Sequence, residues 1–583
     1  MPEITRVRLI LLGLLLVGVS VFGAGIDWGL PSHQIDPFLL PATDRSLDSR
    51  NSFKVSGGYV TQEAGGWSGA DQPADVSSHV IVDRSGPVVL LDNGPQVSDE
   101  RAKADAVYRA RMIERYRLYS EQPDEMINFR ALAQIKPSIN LSQGNFDPKL
   151  YQYGGLWIYP LGGLIGAGSV VDVLTVGDLG YYVDHPEAID GFYIIARGYS
   201  MFWGLIAAIA SFLLVRRWTK SLYIATAAAV CFILMPVVVN SAHEAKPHLA
   251  GAALLLLAVL AACEFVASGR MKSAIWAGIL CGAAAGMVLT GAMGLVLIPT
   301  MIVLSNASIA KRLGAGAIAL VLAIVVYFAT NPYVAVHLLH GASDPILRSN
   351  LGNTRAMYAF GNLPSALGRA AELLVAGTSW PLMLAAIVGL LLCIPRAFRR
   401  SEGWLLAVLC LVEAVQFSLL AAAKPGEYAR FGLVVDIGLL IVAMVIIEQR
   451  IKSTWLRRTI AAVLVIGVGV YGVPYTLGFL RSAQTNSSSQ VAAAEIARRA
   501  DQLPSDHPPT IGVFNEPAPF SLPPVDLSRF RLILLPLGST GSETGVDMIV
   551  APDQSIDLWR PSRTPISWAN RGFDISSVQQ TNK

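Results

Sequence analysis

Three short clusters and one aromatic stretch in this chain hold the residue types that reactions need. The first cluster is Gln122-Pro123-Asp124-Glu125. A carboxylate there can act as a general base, taking the proton of an acceptor hydroxyl or amine, or can hold a divalent cation. Most Asp-Glu pairs are solvated loop acids, but this one precedes an aromatic run, Tyr151-Gln-Tyr153-Gly-Gly-Leu-Trp-Ile-Tyr-Pro160. The second cluster, His243-Glu244-Ala245-Lys246-Pro247-His248, packs a carboxylate, a cation and two imidazoles into six positions. It can complete a site with Asp124, or cap a helix whose first turn begins at Pro247. The third, Lys424-Pro425-Gly426-Glu427-Tyr428-Ala429-Arg430, brings two cations that suit an anionic phosphate. Its alternative is an exposed turn with an incidental Glu–Arg pair.

These residues are set among apolar segments. The chain has 583 residues, 53% of them hydrophobic and 15% charged, with a mean hydropathy of +0.48. Soluble domains carry about 25% charged residues, so the fold class expected is an all-α polytopic membrane protein. Spans of about 20 apolar residues are expected near 8–24, 191–215, 221–240, 248–267, 273–289, 291–305, 313–330, 377–394, 404–421, 430–447 and 459–478, about eleven in all. Arg6 and Arg8 before the first would also suit a signal peptide, but no small-residue cleavage pattern follows, which favours an anchor.

Basic residues fix the register. Arg216 to Lys220, Arg270 to Lys272, Lys311-Arg312, Arg396 to Arg400 and Arg450 to Arg458 all fall on the side of the N-terminus. Leu156–Val176 is apolar enough to span, yet counting it would put every later basic loop outside. It is expected to lie as a helix in the outer interface. The outer side then receives the large loop 25–190, the turn 240–247, the loop 331–376, the turn 422–430 and the tail from about 480.

In the first loop, Ser98-Asp-Glu should start a helix to about Ser120 with Tyr108, Met112, Tyr116 and Tyr119 along one side. Residues 40–97 read as loop with short strands. The tail should form a helix over 488–503 and strands at 510–514, 531–537 and 547–551, a small α/β appendage. The expected domains are a transmembrane module, 1–480, and an outward-facing soluble domain, 481–583.

Other features exclude functions. The five cysteines lie singly in apolar runs, which implies no disulfide framework or metal site. The net charge of +3 comes with no basic tract for nucleic acid. Neither a nucleotide-binding phosphate loop nor an H-E-x-x-H motif occurs, and the basic loops are too short for a nucleotide-sugar domain. An activated donor therefore has to come from the membrane. Arg197, Glu413 and Asp436 are charges within spans, which usually face the protein interior.

Taken together, the motifs resemble the GT-C superfamily of integral-membrane glycosyltransferases, and within it the protein O-mannosyltransferase and aminoarabinose-transferase branch (glycosyltransferase family 39). The residues that carry the likeness are Asp27-Trp-Gly-Leu-Pro31, Pro123-Asp-Glu125, Asp147-Pro-x-x-Tyr151-x-Tyr153, Arg197, Asn331-Pro-Tyr333 and Glu427-Tyr-x-Arg430. They cover roughly residues 1–450. Gln122 stands where the family often has His, and Tyr153-Gly-Gly155 where it often has paired prolines.

The resemblance implies transfer of a sugar from a polyprenyl-phosphate donor to a protein, lipid or glycan acceptor at the outer face. It implies catalytic roles for Asp124, with Glu125 and Glu244 beside it. Donor and substrate contacts would come from Lys246, His243, His248, Arg197, Lys424, Tyr428, Arg430, Tyr151 and Tyr153. The expected setting is a bacterial inner membrane with the site facing the periplasm, because no ER retention signal is present. The alternative class is a transporter or flippase of a lipid-linked or small solute. Transporters tend to place charge at the midplane between related halves, whereas here the charges gather at one face and no repeat is visible.

Overall fold

The computed structural model describes residues 3–39, 88–89, 112–122, 124–136, 145–341, 343–358, 362–393, 402–423, 429–484, 488–503, 508–514, 518–526, 529–535, 546–553 and 573–577. Most of the stretch 40–97, the helix start at Ser98, Tyr108, Pro123, the basic cluster 396–400, and Lys424, Glu427 and Tyr428 lie outside these residues.

The chain is an integral, multi-pass membrane protein. Among the described residues, seven helices are long and apolar enough to cross a bilayer, and nine if each of two bent pairs counts as one span. Seven of the eleven expected spans are these single helices. The span expected at 221–240 is broken by 60° between Leu222–Leu234 and Pro236–Ala242. Pro236 has no N–H to continue the ladder, and Met235 before it is extended (ψ 127°). The span expected at 377–394 is the second arm of a pair, Leu363–Thr378 and Trp380–Leu391, bent by 115°. Its first arm was not expected from the sequence.

Two expected spans, 273–289 and 291–305, are short. Met271–Met287 has 17 residues. The return run is a 3₁₀ helix, Leu289–Val296, followed by the α-helix Leu297–Leu304. The greater rise of 3₁₀ geometry stretches these 16 residues to about 28 Å, against about 24 Å as pure α-helix. Small residues let Met271–Met287 pack closely on Ile309–Thr330. A Cβ at Gly278 would lie 2.3 Å from the Ala319 carbonyl oxygen, at Gly282 2.3 Å from that of Ala323, and at Gly286 2.3 Å from Thr330 Oγ1. Glycines four residues apart make the flat seam that apolar helices need in lipid.

Helix ends gather in two sets. One holds the basic residues: Arg216 pairs with Glu3, Arg217 with Glu264 and Glu402, and the Tyr223 hydroxyl donates to the Arg458 carbonyl. The other gathers Ala24, Trp28, His243, Val288, Asn331, Arg430 and Phe479 with the first loop. This is the pairing that the basic loops require. Gly155–Val170 is a helix, ending before the expected Val176.

The tail carries the helix Ser488–Ala500 and most of a five-stranded sheet: β1 (Val88–Val89), β2 (Thr510–Val513), β3 (Arg531–Leu534), β4 (Met548–Pro552) and β5 (Phe573–Ser577). The order is β1-β3-β2-β4-β5, with β2 parallel to β3 and β4 and both edges antiparallel. The three inner strands match expectation. Of the edges, β1 is two residues of the first loop, inside the stretch 40–97 where short strands were expected, whereas β5, Phe-Asp-Ile-Ser-Ser, was not anticipated because its apolar alternation covers only Phe573 and Ile575. First-loop residues Leu39, Met112, Ile113 and Tyr116 share one core with Ile496, Ile511, Leu532 and Val550 of the tail. The Tyr116 hydroxyl donates to the Leu522 carbonyl at 2.7 Å.

Candidate active site

At the end of the bundle away from the basic loops, Asp124 meets two cations. Its Oδ2 lies 2.9 Å from Arg430 Nη2 and 3.2 Å from Lys246 Nζ. Lys246 also reaches Glu244 Oε2 at 3.2 Å. The burial is uneven: the Lys246 and Arg430 side chains are 2% and 8% exposed, while Asp124 keeps 33%. The carboxylate therefore sits at the mouth, with the charge that balances it underneath. Desolvation pushes the Asp124 carboxyl up, but Lys246 and Arg430 outweigh it and hold the group down to about 2.

Local sequence sets this geometry. Gln122, buried, accepts the Asp124 backbone N–H through Oε1 at 2.8 Å. This amide folds the turn back on itself ahead of the helix Met126–Gln134. Arg430 lies in the 3₁₀ turn Ala429–Gly432 that enters the span Leu433–Arg450, with its guanidinium over the Phe431 ring at 5.1 Å. Aromatic rings continue the wall. His248 meets Phe431 edge-to-face at 4.9 Å and Tyr153 at 5.9 Å. Among the described residues, His248 Nδ1 is buried without a hydrogen-bond partner. Burial, then the neighbouring Asp124 charge, keeps the Tyr153 phenol protonated well above its ordinary range.

Glu125 points elsewhere. Its Oε1 accepts from Arg197 Nε (2.9 Å) and the Ala245 N–H (2.7 Å), and its Oε2 from Arg197 Nη2 (2.7 Å) and Ser120 Oγ (2.6 Å). Both side chains are fully buried. Arg197 Nη1 donates to the carbonyls of Ile26 and Trp28, and the guanidinium lies 4.9 Å from the Trp28 ring. Each guanidinium nitrogen and each carboxylate oxygen of the pair has a hydrogen-bond partner, as a buried pair needs. The two acids of the motif thus face different partners, because the turn into the helix aims them apart.

The turn 243–248 is clamped from all sides. Trp28 Nε1 donates to the His243 carbonyl (3.0 Å), Asn128 Nδ2 to the Ala245 carbonyl (2.6 Å) and Ser200 Oγ to the Glu244 carbonyl (2.6 Å). The His243 ring stacks on Phe479 with centroids 4.1 Å apart, its nitrogens near the Val239 and Ala24 carbonyls. Burial pushes this imidazole down to about 4. His243 is therefore part of the clamp, set away from Asp124. Asn128, which accepts from Trp157 of the aromatic run (Nε1 to Oδ1, 2.9 Å), was not picked out from the sequence. Their pairing joins two helices, Met126–Gln134 and Gly155–Val170, that no local pattern links.

Tyr153 is delivered by close backbone approach. The Gly154 N–H donates to the Met287 carbonyl, and a Cβ on Gly154 would come within 1.9 Å of the Gly286 oxygen. Asn331 Oδ1 accepts the Gly155 N–H at 2.7 Å. Tyr153-Gly-Gly and Asn331-Pro-Tyr thus meet.

Tyr151 belongs to a separate cluster. Its hydroxyl donates to Asp147 Oδ1 at 2.9 Å, and Asp147 Oδ2 lies 2.9 Å from His337 Nε2. Of the expected site residues, Asp124, Glu244, Lys246, His248, Tyr153 and Arg430 are thus brought together. Glu125, Arg197 and His243 form the layer beneath them. Tyr151 stands apart, and Lys424 and Tyr428 lie outside the described residues.

No family model and no curated protein matches the chain. Among solved structures, it is similar to ArnT from Cupriavidus metallidurans bound to undecaprenyl phosphate, at 14% identity and a TM-score of 0.41, over 76% of this chain and 90% of that one. It is also similar to the archaeal oligosaccharyltransferase AglB from Archaeoglobus fulgidus in complex with an inhibitory peptide and a dolichol-phosphate. There the identity is 11% and the TM-score 0.34, over 76% of this chain and 65% of that one. These likenesses assign no reaction.

Proposed function

We propose that this chain is a membrane glycosyltransferase that moves a sugar from a polyprenyl-phosphate donor to an acceptor at the outer, periplasmic face of a bacterial inner membrane. The observation that carries the reading is the solvent-facing Asp124 carboxylate set over two nearly buried cations, Lys246 and Arg430, at the bundle end remote from the basic loops. The donor's lipid would lie along Gly155–Val170, whose Leu164 and Val170 are exposed. The transmembrane part, to about 480, would hold the site. The region 481–583 would stand on the outer side as a small soluble domain, packed on the first loop.

In the reaction, the acceptor oxygen attacks the anomeric carbon from the side opposite the phosphate, which gives inversion. The bond from that carbon to the phosphate oxygen breaks and its electron pair stays on the lipid phosphate. The acceptor proton goes to Asp124. Lys246 and Arg430 stabilise the departing phosphate charge, with Glu244 holding Lys246 in place and His248 Nδ1 available to a sugar hydroxyl. Glu125 and Arg197 position the loop and do not touch substrate.

Without donor, the two cations make Asp124 a weak base. A bound phosphate competes for them, so the carboxylate becomes more basic once the donor is in place. The test is transfer by purified protein from radiolabelled polyprenyl-phosphate sugars. Asp124→Asn keeps the shape and removes the proton acceptor, so turnover should fall by about 10²–10⁴-fold with donor binding retained. Near-full turnover in this variant would remove Asp124 from the chemistry. A wild-type protein that binds such lipids and never transfers the sugar would overturn the reading in favour of transport.

A further inference from the structure

The cluster behind Tyr151 has a composition that the transfer reading does not use. His337 and His340 close the helix Pro332–Leu339, and Asp344 caps the next helix, Pro345–Met357. Asp344 spends Oδ1 on the cap, accepting the N–H groups of Ile346 and Leu347 at 3.0 Å each. That leaves Oδ2 facing two imidazoles, His337 Nδ1 at 2.7 Å and His340 Nδ1 at 3.4 Å. Each of the three side chains offers a ligand atom, all within 4.8 Å of one another. Among the described residues, this is the group of His, Cys, Asp and Glu side chains with metal-holding geometry.

A plain ion pair explains half of this. An imidazolium at His337 could bridge Asp344 and Asp147. It leaves His340 without a reason, since its nitrogen is long for a good hydrogen bond and its side chain is 62% exposed. A metal accounts for both histidines. Ligands about 2.0–2.1 Å from a tetrahedral ion lie about 3.3 Å from one another. The His340–Asp344 separation is already there, and the His337–Asp344 pair has to open by only about 0.6 Å.

We propose that His337, His340 and Asp344 bind a zinc-class divalent cation through two imidazole nitrogens and one carboxylate oxygen, with water at the exposed fourth position. Two imidazoles beside a single carboxylate favour zinc or a neighbouring transition metal over magnesium or calcium, which prefer oxygen. The layer behind the ligands fits. With the metal on Nδ1, the His337 Nε2–H donates to Asp147 Oδ2, the carboxylate–histidine–metal arrangement that fixes tautomer and ring angle. Asp147 is itself held, accepting from the Tyr151 hydroxyl and the Lys149 N–H.

The consequence is mechanical. The helices Pro332–Leu339 and Pro345–Met357 clasp the stretch of chain that leads to Tyr153: His337 meets Asp147, Asn350 Oδ1 accepts the Tyr151 N–H, and its Nδ2 donates to the Lys149 carbonyl. A metal at Asp344 would lock that clasp next to the Asp124 site while leaving Asp124 itself untouched. This site does not depend on the transfer reading.

The experiment uses the full-length protein in detergent, stripped with chelator and titrated with Zn²⁺ against a chromogenic competitor, with Co²⁺ as the spectroscopic probe. Wild type should take up one equivalent, give the intense visible bands of four-coordinate Co²⁺, and melt at a higher temperature with metal than without. Because His340 is exposed, His340→Ala should leave the metal-free melting temperature in place and abolish the bands. Asp147→Asn should weaken Zn²⁺ binding by about 10–100-fold as a positioning change. Absence of stoichiometric uptake by wild type overturns the proposal. So does a His340→Ala protein that binds as tightly as wild type.

Discussion

Asp124 shares one carboxylate oxygen between two cations, so its basicity depends on what else those cations hold. Held down to about 2 in the donor-free protein, it stays ionised at every pH above about 4. The profile of kcat/KM, which reports the free enzyme, should show no acid limb from this group above that pH. Lys246→Met removes one of the two lowering charges and leaves the desolvation that raises the group. The acid limb should then move to higher pH. A wild-type limb near neutrality that ignores Lys246→Met would detach Asp124 from the profile. The neighbouring acid, Glu125, has no such exposure, so a pair adjacent in sequence divides into one exposed and one buried member.

At the scale of elements, Glu125–Arg197 is the joint between the first loop, the span that begins near Asp190 and the turn 243–248. Removing one partner strands a buried charge, which costs roughly 3–5 kcal/mol. Arg197→Ala should therefore lower the thermal unfolding midpoint in detergent by far more than Asp124→Asn does. Equal midpoints for the two variants would show that the joint carries no stability. Arg197→Lys should not restore the loss, because one ammonium cannot serve Glu125 bidentately while also reaching the carbonyls of Ile26 and Trp28.

For the whole molecule, the tail and the first loop are one packing unit. Leu39, Met112, Ile113 and Tyr116 fill the core under the tail sheet, and β1 pairs with β3. A fragment of residues 488–583 made alone should lack a cooperative unfolding transition, and its deletion should expose the first loop to protease. A fragment that melts cooperatively would show that the borrowed residues are dispensable. Orientation is tested with single cysteines placed at exposed ends: an impermeant reagent added outside intact cells should label Asp501→Cys and spare Ser453→Cys. The reverse pattern would invert the register.

The sequence by itself determined the class and seven of the helical spans. Apolar length and basic loops are local quantities that need no partner to be read. It also marked Asp124, Glu244, Lys246 and Arg430, because charge beside a membrane is costly and therefore conspicuous. Only the tertiary structure decided that Asp124 rather than Glu125 faces solvent, since the two are adjacent, chemically similar acids. The structure likewise decided that His243 clamps while His248 lines the site, and that Tyr151 joins His337 across 186 positions of chain. These are long-range pairings, and a pattern of neighbours along the chain holds no record of which distant surface each side chain will meet.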